Sequence, residues 1–325
     1  MKKKLMCMLL IGAMTASVLA GCGSNENTAE GTTNESAVAT DDAAEDSANE
    51  NAVTTDDTAE NSDFDAEEMV AVYSSEDGSG TRGAFIELFG IEEKDENGEK
   101  IDYTTEEAVI TNSTDVMLTS VAGDTYGIGY VSLGSLNETV KALKIDGAEA
   151  TVENIKSGAY TIARPFNIAT KADVSEAAED FINYIMSAEG QAVITENGYI
   201  GSDDAAAYEA NGATGKVVVG GSSSVSPVME KLIEAYKAVN AEAEIELQTS
   251  DSTTGMTGAA DGTLDIGMAS RELKDTEVEA GLTGTKIAMD GIAVVVNLEN
   301  PTDDLTSEAV KGIFTGEITE WSGIN

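Results

Sequence analysis

Lys216-Val217-Val218-Val219-Gly220-Gly221-Ser222-Ser223-Ser224-Val225-Ser226-Pro227 runs from an apolar stretch through a Gly/Ser turn to a proline that opens a helical pattern. Beyond it, apolar Val228, Leu232, Ile233 and Tyr236 recur at helical spacing. Ser226 is placed to cap that helix, with Pro227 at its first position. A second stretch has the same grammar: Met69-Val70-Ala71-Val72-Tyr73 leads into Asp77-Gly78-Ser79-Gly80-Thr81-Arg82 and then a helix. A helix N-terminus presents unpaired N–H groups and a partial positive charge, and neighbouring Ser/Thr hydroxyls add donors. Two such turns facing each other form an oxyanion cage that needs little formal positive charge.

The chain has little of it. Its 325 residues carry 18 Lys+Arg against 60 Asp+Glu, a formal net charge of -42. That balance argues against nucleic acid, where Lys and Arg must displace phosphate counterions, and against anionic membrane surfaces. There is no histidine. This removes the usual general base, the commonest zinc ligand and any Ser-His-Asp triad. An enzyme would have to work with carboxylates, Lys or Tyr, and no nucleophile–base pair is visible. No cofactor or metal site is expected either.

Strand-like runs fall at 70–73, 108–111, 127–131, 216–219, 244–248 and 292–297. Helical patterns fall at 83–89, 114–121, 175–187, 227–239, 255–260 and 307–314. The alternation predicts an α/β fold with mainly parallel sheets, which bind ligands at the C-terminal ends of strands. Both Ser/Gly turns belong there. Ser250-Asp251-Ser252-Thr253-Thr254-Gly255 and Asp265-Ile266-Gly267-Met268-Ala269-Ser270-Arg271 are further candidates. Phe85, Leu88 and Phe89 read as a core stripe and Trp321 as packing.

The N-terminus begins with basic Met1-Lys2-Lys3-Lys4, continues with a short apolar run, and reaches Leu19-Ala20-Gly21-Cys22. This predicts a signal peptide over 1–22 rather than a spanning helix. Its end resembles a bacterial lipobox, which implies lipidation of Cys22. Residues 23–68 are acidic, contain no Lys or Arg, and predict a disordered tether.

The chain resembles the phosphate-binding proteins of ABC transporters, which have the two-lobed type II periplasmic-binding-protein fold. The carriers are the turn at Gly221–Pro227, Asp265–Arg271, and Asp290-Gly291-Ile292-Ala293-Val294-Val295-Val296-Asn297. Ile313-Phe314-Thr315-Gly316-Glu317-Ile318-Thr319-Glu320-Trp321, Glu76–Arg82, Asn112-Ser113-Thr114 and Gly127-Ile128-Gly129-Tyr130-Val131-Ser132-Leu133-Gly134 add to the set. The family usually begins with the stretch found here at Lys216 and later continues with the stretch found here at Val70. The order therefore reads as a circular permutation. Residues 163–297 form lobe A, with 201–215 as joining linker, and 69–162 plus 298–325 form lobe B. A rearranged or truncated gene is the rival explanation.

Carried over by motif, the phosphate-binding residues are Ser223, Ser224, Val225 and Ser252 from one lobe, and Ser79, Gly80 and Thr81 from the other. Arg82 and Ser270 complete the set. Many family members carry an arginine where this chain has Ser75, and some an aspartate near Ser270. Arg82 or Arg271 in the first case, and Asp251 or Asp77 in the second, are the substitutes on offer. The resemblance implies capture of inorganic phosphate by a monomer held to the outer face of a bacterial cytoplasmic membrane by its lipid anchor alone. The protein would deliver it to ABC permease subunits. A receptor for sulfate or molybdate, and a scaffold or adhesin on the same fold, are the alternatives.

Overall fold

The computed structural model describes residues 64–97 and 99–324. The predicted signal peptide, Cys22 and nearly all of the predicted tether lie outside them. The chain runs β1 (Ala71–Ser75), α1 (Gly80–Leu88), β2 (Val109–Thr111), α2 (Thr114–Ala122) and β3 (Gly127–Ser132). After these come β4 (Ala163–Thr170), α3 (Glu176–Ile185) and α4 (Ala188–Glu196). The segment 201–214 then leads to β5 (Gly215–Ser222), α5 (Ser226–Val239), β6 (Ala243–Ser250) and α6 (Ser252–Asp261). The chain continues through β7 (Ile266–Ala269), β8 (Thr283–Val296) and α7 (Ser307–Thr315).

These strands order as β6-β5-β7-β4-β8-β3-β1-β2 in a nine-stranded sheet, with Lys141–Ala142 pairing β8 off that path. Two blocks are parallel: β5 with β6 and β7, and β1 with β2 and β3. Between them β4 and β8 run antiparallel to each other and to their neighbours β7 and β3.

The long strand β8 divides the molecule. Thr283 to Gly291 pair with β4, and Ile292 to Val296 pair with β3. Side chains alternate faces along a strand. Ile292, Val294 and Val296 therefore join a cluster with Phe85, Tyr130 and Phe314, while Ala293 and Val295 join Met117 and Val121 on the opposite face. Residues 292–297 were expected in lobe A; their pairing and packing put them in lobe B. The lobes change over at two adjacent places, because Ile162 packs in the lobe B core, Phe166 packs in the lobe A core, and Ala163 is the register partner of Gly291.

Lobe A covers both faces of its sheet. Val217, Val219, Phe166 and Ile168 meet Leu232, Tyr236 and Phe181 on one side; Ala169 and Ala269 meet Met256 and Ala259 on the other. Parallel strands buried on both faces call for this apolar composition. The segment 201–214 lies against lobe A, where Tyr208 Oη donates to buried Asp180 at 2.8 Å. Trp321 is buried and donates from Nε1 to the Tyr126 carbonyl. Phe85 and Phe89 are buried, but Leu88 is 41% exposed, since it falls on the outer side of α1.

Two helices begin three residues earlier than their apolar periodicity suggests. α1 starts at Gly80 because Ser79 caps it, and α6 starts at Ser252 because Asp251 caps it. The polar turn residues are themselves the first helical turns. At α5 the expectation is corrected: Val225 occupies the cap position and Ser226 is already helical, with its Oγ donating to the Ser222 carbonyl.

Candidate functional site

Register brings the helix starts together. In lobe A, Ser222 at the end of β5 lies opposite Ser250 at the end of β6, so α5 and α6 begin side by side. In lobe B, Ser75 at the end of β1 lies opposite Thr111 at the end of β2, so α1 and α2 do the same. Three helix N-termini, those of α1 and α2 from lobe B and α6 from lobe A, thus reach one cavity at the C-terminal ends of parallel strands, with the Ser222–Ser224 turn before α5 beside them. The first N–H groups of each have no intrahelical partner.

Glycine permits the close approach in lobe A. Gly221 has φ 135°, and a Cβ there would stand 2.3 Å from the Met268 carbonyl oxygen. A Cβ on Gly255 of α6 would stand 2.5 Å from the Gly221 Cα. The α6 backbone therefore rests directly on β5 and β7.

Hydroxyls close the cavity across the lobes. Thr81 Oγ1 lies 2.8 Å from Ser224 Oγ and 3.3 Å from Ser270 Oγ. Thr114 Oγ1 lies 3.3 Å from Ser223 Oγ. Thr253 N–H donates to the Gly78 carbonyl at 3.2 Å. The cavity holds ≈20 Å3, where a single water needs about 10–15 Å3, so the jaws stand nearly shut.

Ser79, Gly80, Thr81, Ser223, Ser224 and Ser252 line this cavity. Ser270 stands one bond behind it: its Oγ accepts from Ser222 Oγ at 3.0 Å, and its N–H donates to Ser252 Oγ at 3.2 Å. Val225 does not line it, and its N–H is used by the Ser222 carbonyl. The Arg82 side chain points away. Its guanidinium is held by Asp77 at 3.0 Å, by Asp102 at 2.8 Å and by the Ser75 carbonyl at 2.9 Å. Arg271 is likewise taken, paired with Glu277 at 2.7 Å. Both arginines line a separate groove of ≈990 Å3 on the far side of the α1 N-terminus.

Sequence reasoning missed several lining residues. Asn112, Ser113 and Thr114 were visible as a motif, and Ser113 caps α2 as Ser79 caps α1. Tyr130 was visible too, within the Gly127–Gly134 motif, but with no role attached; from β3 its Oη accepts the Ser75 N–H at 3.0 Å and meets Ser74 Oγ at 2.9 Å, fixing the end of β1.

The charged groups that line the cavity, among the described residues, are two carboxylates, Glu76 and Asp251. Asp251 is occupied in capping α6, where it accepts from the Thr254 N–H at 2.9 Å and from the Thr254 hydroxyl. Glu76 is raised above the ordinary glutamate value, first by burial and then by the negative charges of Asp251 and Asp77. Such a carboxyl takes a hydrogen bond from a protonated oxyanion more readily than it tolerates a fully ionised one. Positive charge enters from behind: Arg164 Nη2 donates to Thr81 Oγ1 at 2.8 Å.

Comparison with known proteins places these features in company. A family model described as the PBP superfamily domain matches residues 206–323, and one for bacterial extracellular solute-binding proteins matches residues 91–200. The phosphate-binding protein PstS 2 of Streptococcus agalactiae is 60% identical over 257 residues, covering 79% of this chain and 88% of that one. The phosphate-binding protein PstS 2 of Streptococcus pneumoniae is 45% identical over 260 residues, covering 80% and 89%. The crystal structure of a phosphate ABC transporter phosphate-binding protein from Streptococcus pneumoniae superposes with a TM-score of 0.63 at 44% identity, covering 79% of this chain and all of that one.

Proposed function

The chain belongs to the phosphate-binding proteins of ABC transporters, and from that premise we propose that it captures inorganic phosphate between its lobes and hands it to an ABC permease. It is a binding protein, not an enzyme. One observation carries the reading for this chain: three helix N-termini and the Ser222–Ser224 turn, drawn from both lobes, bring their N–H groups and hydroxyls to one cavity with no Lys or Arg among its described lining residues. Short-range donors hold an anion there despite the negative surface, because distant charges are screened over about 8–10 Å. On entry, the ion replaces the hydroxyl-to-hydroxyl contacts Thr81–Ser224 and Thr114–Ser223 with bonds to itself.

Ser79, Gly80, Thr81 and Thr114 from lobe B, and Ser223, Ser224 and Ser252 from lobe A, are the proposed ligand residues. Glu76 favours phosphate over sulfate. Hydrogen phosphate has a proton to give that carboxylate, while sulfate meets only a repelling charge. Titration calorimetry of protein stripped of endogenous ligand tests this. Heat with phosphate and little with sulfate is expected; no heat with phosphate rejects the reading.

The permuted order is native in this reading. A 60% identity sustained over 257 residues, spanning 88% of a relative, supports it over a rearranged gene. The lipobox sequence supports anchoring through Cys22 on the outer face of the membrane. Among the described residues no helix is long and apolar enough to cross a membrane. Radiolabelled palmitate incorporated into the wild type and not into Cys22→Ala would establish the anchor.

A further inference from the structure

Arg164 and Asp290 are register partners on β4 and β8, each next to the place where its strand changes lobes. Arg164 Nη1 donates to Asp290 Oδ2 at 2.6 Å, and the two side chains are 2% and 0% exposed. The guanidinium lies over the Phe166 ring, 5.1 Å from its centroid. Burial draws the guanidinium down from its ordinary value and pushes the Asp290 carboxyl up, and their mutual attraction opposes both shifts. Desolvation makes a buried ion pair a poor source of net stability. The pair therefore invites a second explanation, and the other arm of the guanidinium supplies one.

That arm leaves lobe A and ends on lobe B, where Nη2 meets Thr81 Oγ1 at 2.8 Å in the first turn of α1. Arginine only donates. Thr81 must accept at that contact, which leaves its own proton for Ser224 Oγ, for Ser270 Oγ or for an anion in the cavity. A charge-assisted bond at the oxygen also polarises the hydroxyl and makes it a stronger donor.

We propose that Arg164 is a positioning residue for the anion, held at the hinge by Asp290, which fixes the Thr81 hydroxyl as a donor into the cavity. Through Thr81 it brings positive charge to a cavity that no basic side chain lines. The inference rests on the phosphate reading above.

The test is calorimetric titration of the full chain with inorganic phosphate, alongside its melting temperature without phosphate. Arg164→Lys keeps a cation beside Asp290 but lacks a second arm. Its melting temperature should stay within a few degrees of wild type, while phosphate affinity falls about tenfold or more, as expected for a lost charged hydrogen bond. In a Thr81→Val background the same change should cost less than about twofold, because the coupled partner is gone. If Arg164→Lys does not fold, Arg164→Gln with Asp290→Asn removes both charges together and should show the same loss of affinity. Wild-type affinity in these variants, or an equal loss with and without the Thr81 hydroxyl, overturns the inference alone. A wild-type chain that binds no phosphate overturns the functional reading with it.

Discussion

The two jaws present the same kind of donors to one cavity with different construction. The lobe A jaw is main chain against main chain: Gly221 and Gly255 let α6 lie on β5 and β7 at distances that no side chain permits. The lobe B jaw has its glycines facing outward: a Cβ on Gly78 would stand 2.3 Å from Asp251 Oδ1 of lobe A. A Cβ on Gly80 would meet no lobe B atom first but Ser252 Oγ at 2.5 Å and Ser270 Oγ at 2.8 Å, both in lobe A. Glycine in one jaw serves the fold of that lobe, and in the other it serves closure of the two lobes. The same residue type therefore has two distinct functions at one site.

Substitution separates them, and the largest effect belongs to the fold. Gly221→Ala forces an L side chain into a left-handed conformation against the Met268 carbonyl and should lose about 3 kcal/mol or more of stability. Thermal melting measures this; a melting curve like that of the wild type would erase the contrast. Gly80→Ala should leave the ligand-free melt unchanged or slightly raised, since alanine favours a helix by up to about 1 kcal/mol. Its phosphate affinity should fall at least about tenfold, or 1.4 kcal/mol, because the methyl holds the jaws apart. Unchanged affinity would show that closure does not need this contact.

Tyr208→Phe tests the seat of the joining segment on lobe A. Losing its bond to Asp180, which keeps Tyr236 at 2.6 Å, should cost about 1 kcal/mol without altering phosphate affinity. Hydrogen exchange should quicken around 201–214 and not in lobe B. The smallest expected stability change is that of Glu76→Gln. Glu76 is raised in the folded state, so its contribution to stability is fully present below the unfolded value and is lost as pH rises through the folded one. The variant should therefore lose less stability than wild type on going from about pH 4 to pH 7. Its preference for phosphate over sulfate, measured by competition, should shrink, since a neutral amide repels neither ion.

Much of the site was legible because each half of it is local. A strand, a Gly/Ser turn and a helix occupy about a dozen consecutive residues, and Ser79, Gly80, Thr81, Ser223, Ser224 and Ser252 were readable on that basis. Arg82 misled for a local reason as well. It follows the turn directly, but its guanidinium folds back onto Asp77, Asp102 and the Ser75 carbonyl, partners that no reading of the turn alone places around it. The boundary of lobe A misled because Ile292 to Val296 are apolar throughout. A continuous apolar run shows burial on both faces without naming the lobe that buries it.

From the sequence alone came the alternation of strands and helices, the Ser/Gly turns that line the cavity, the exclusion of histidine chemistry and the order of the motifs. These are properties of composition and of short windows, where backbone sterics and capping act between near neighbours. Only the tertiary structure decided which charges face the cavity. Arg164 reaches Thr81 across 83 residues of chain, and Glu76 meets Asp251 from the other lobe. Both depend on the register of strands and the closing of two lobes, which no window of sequence contains.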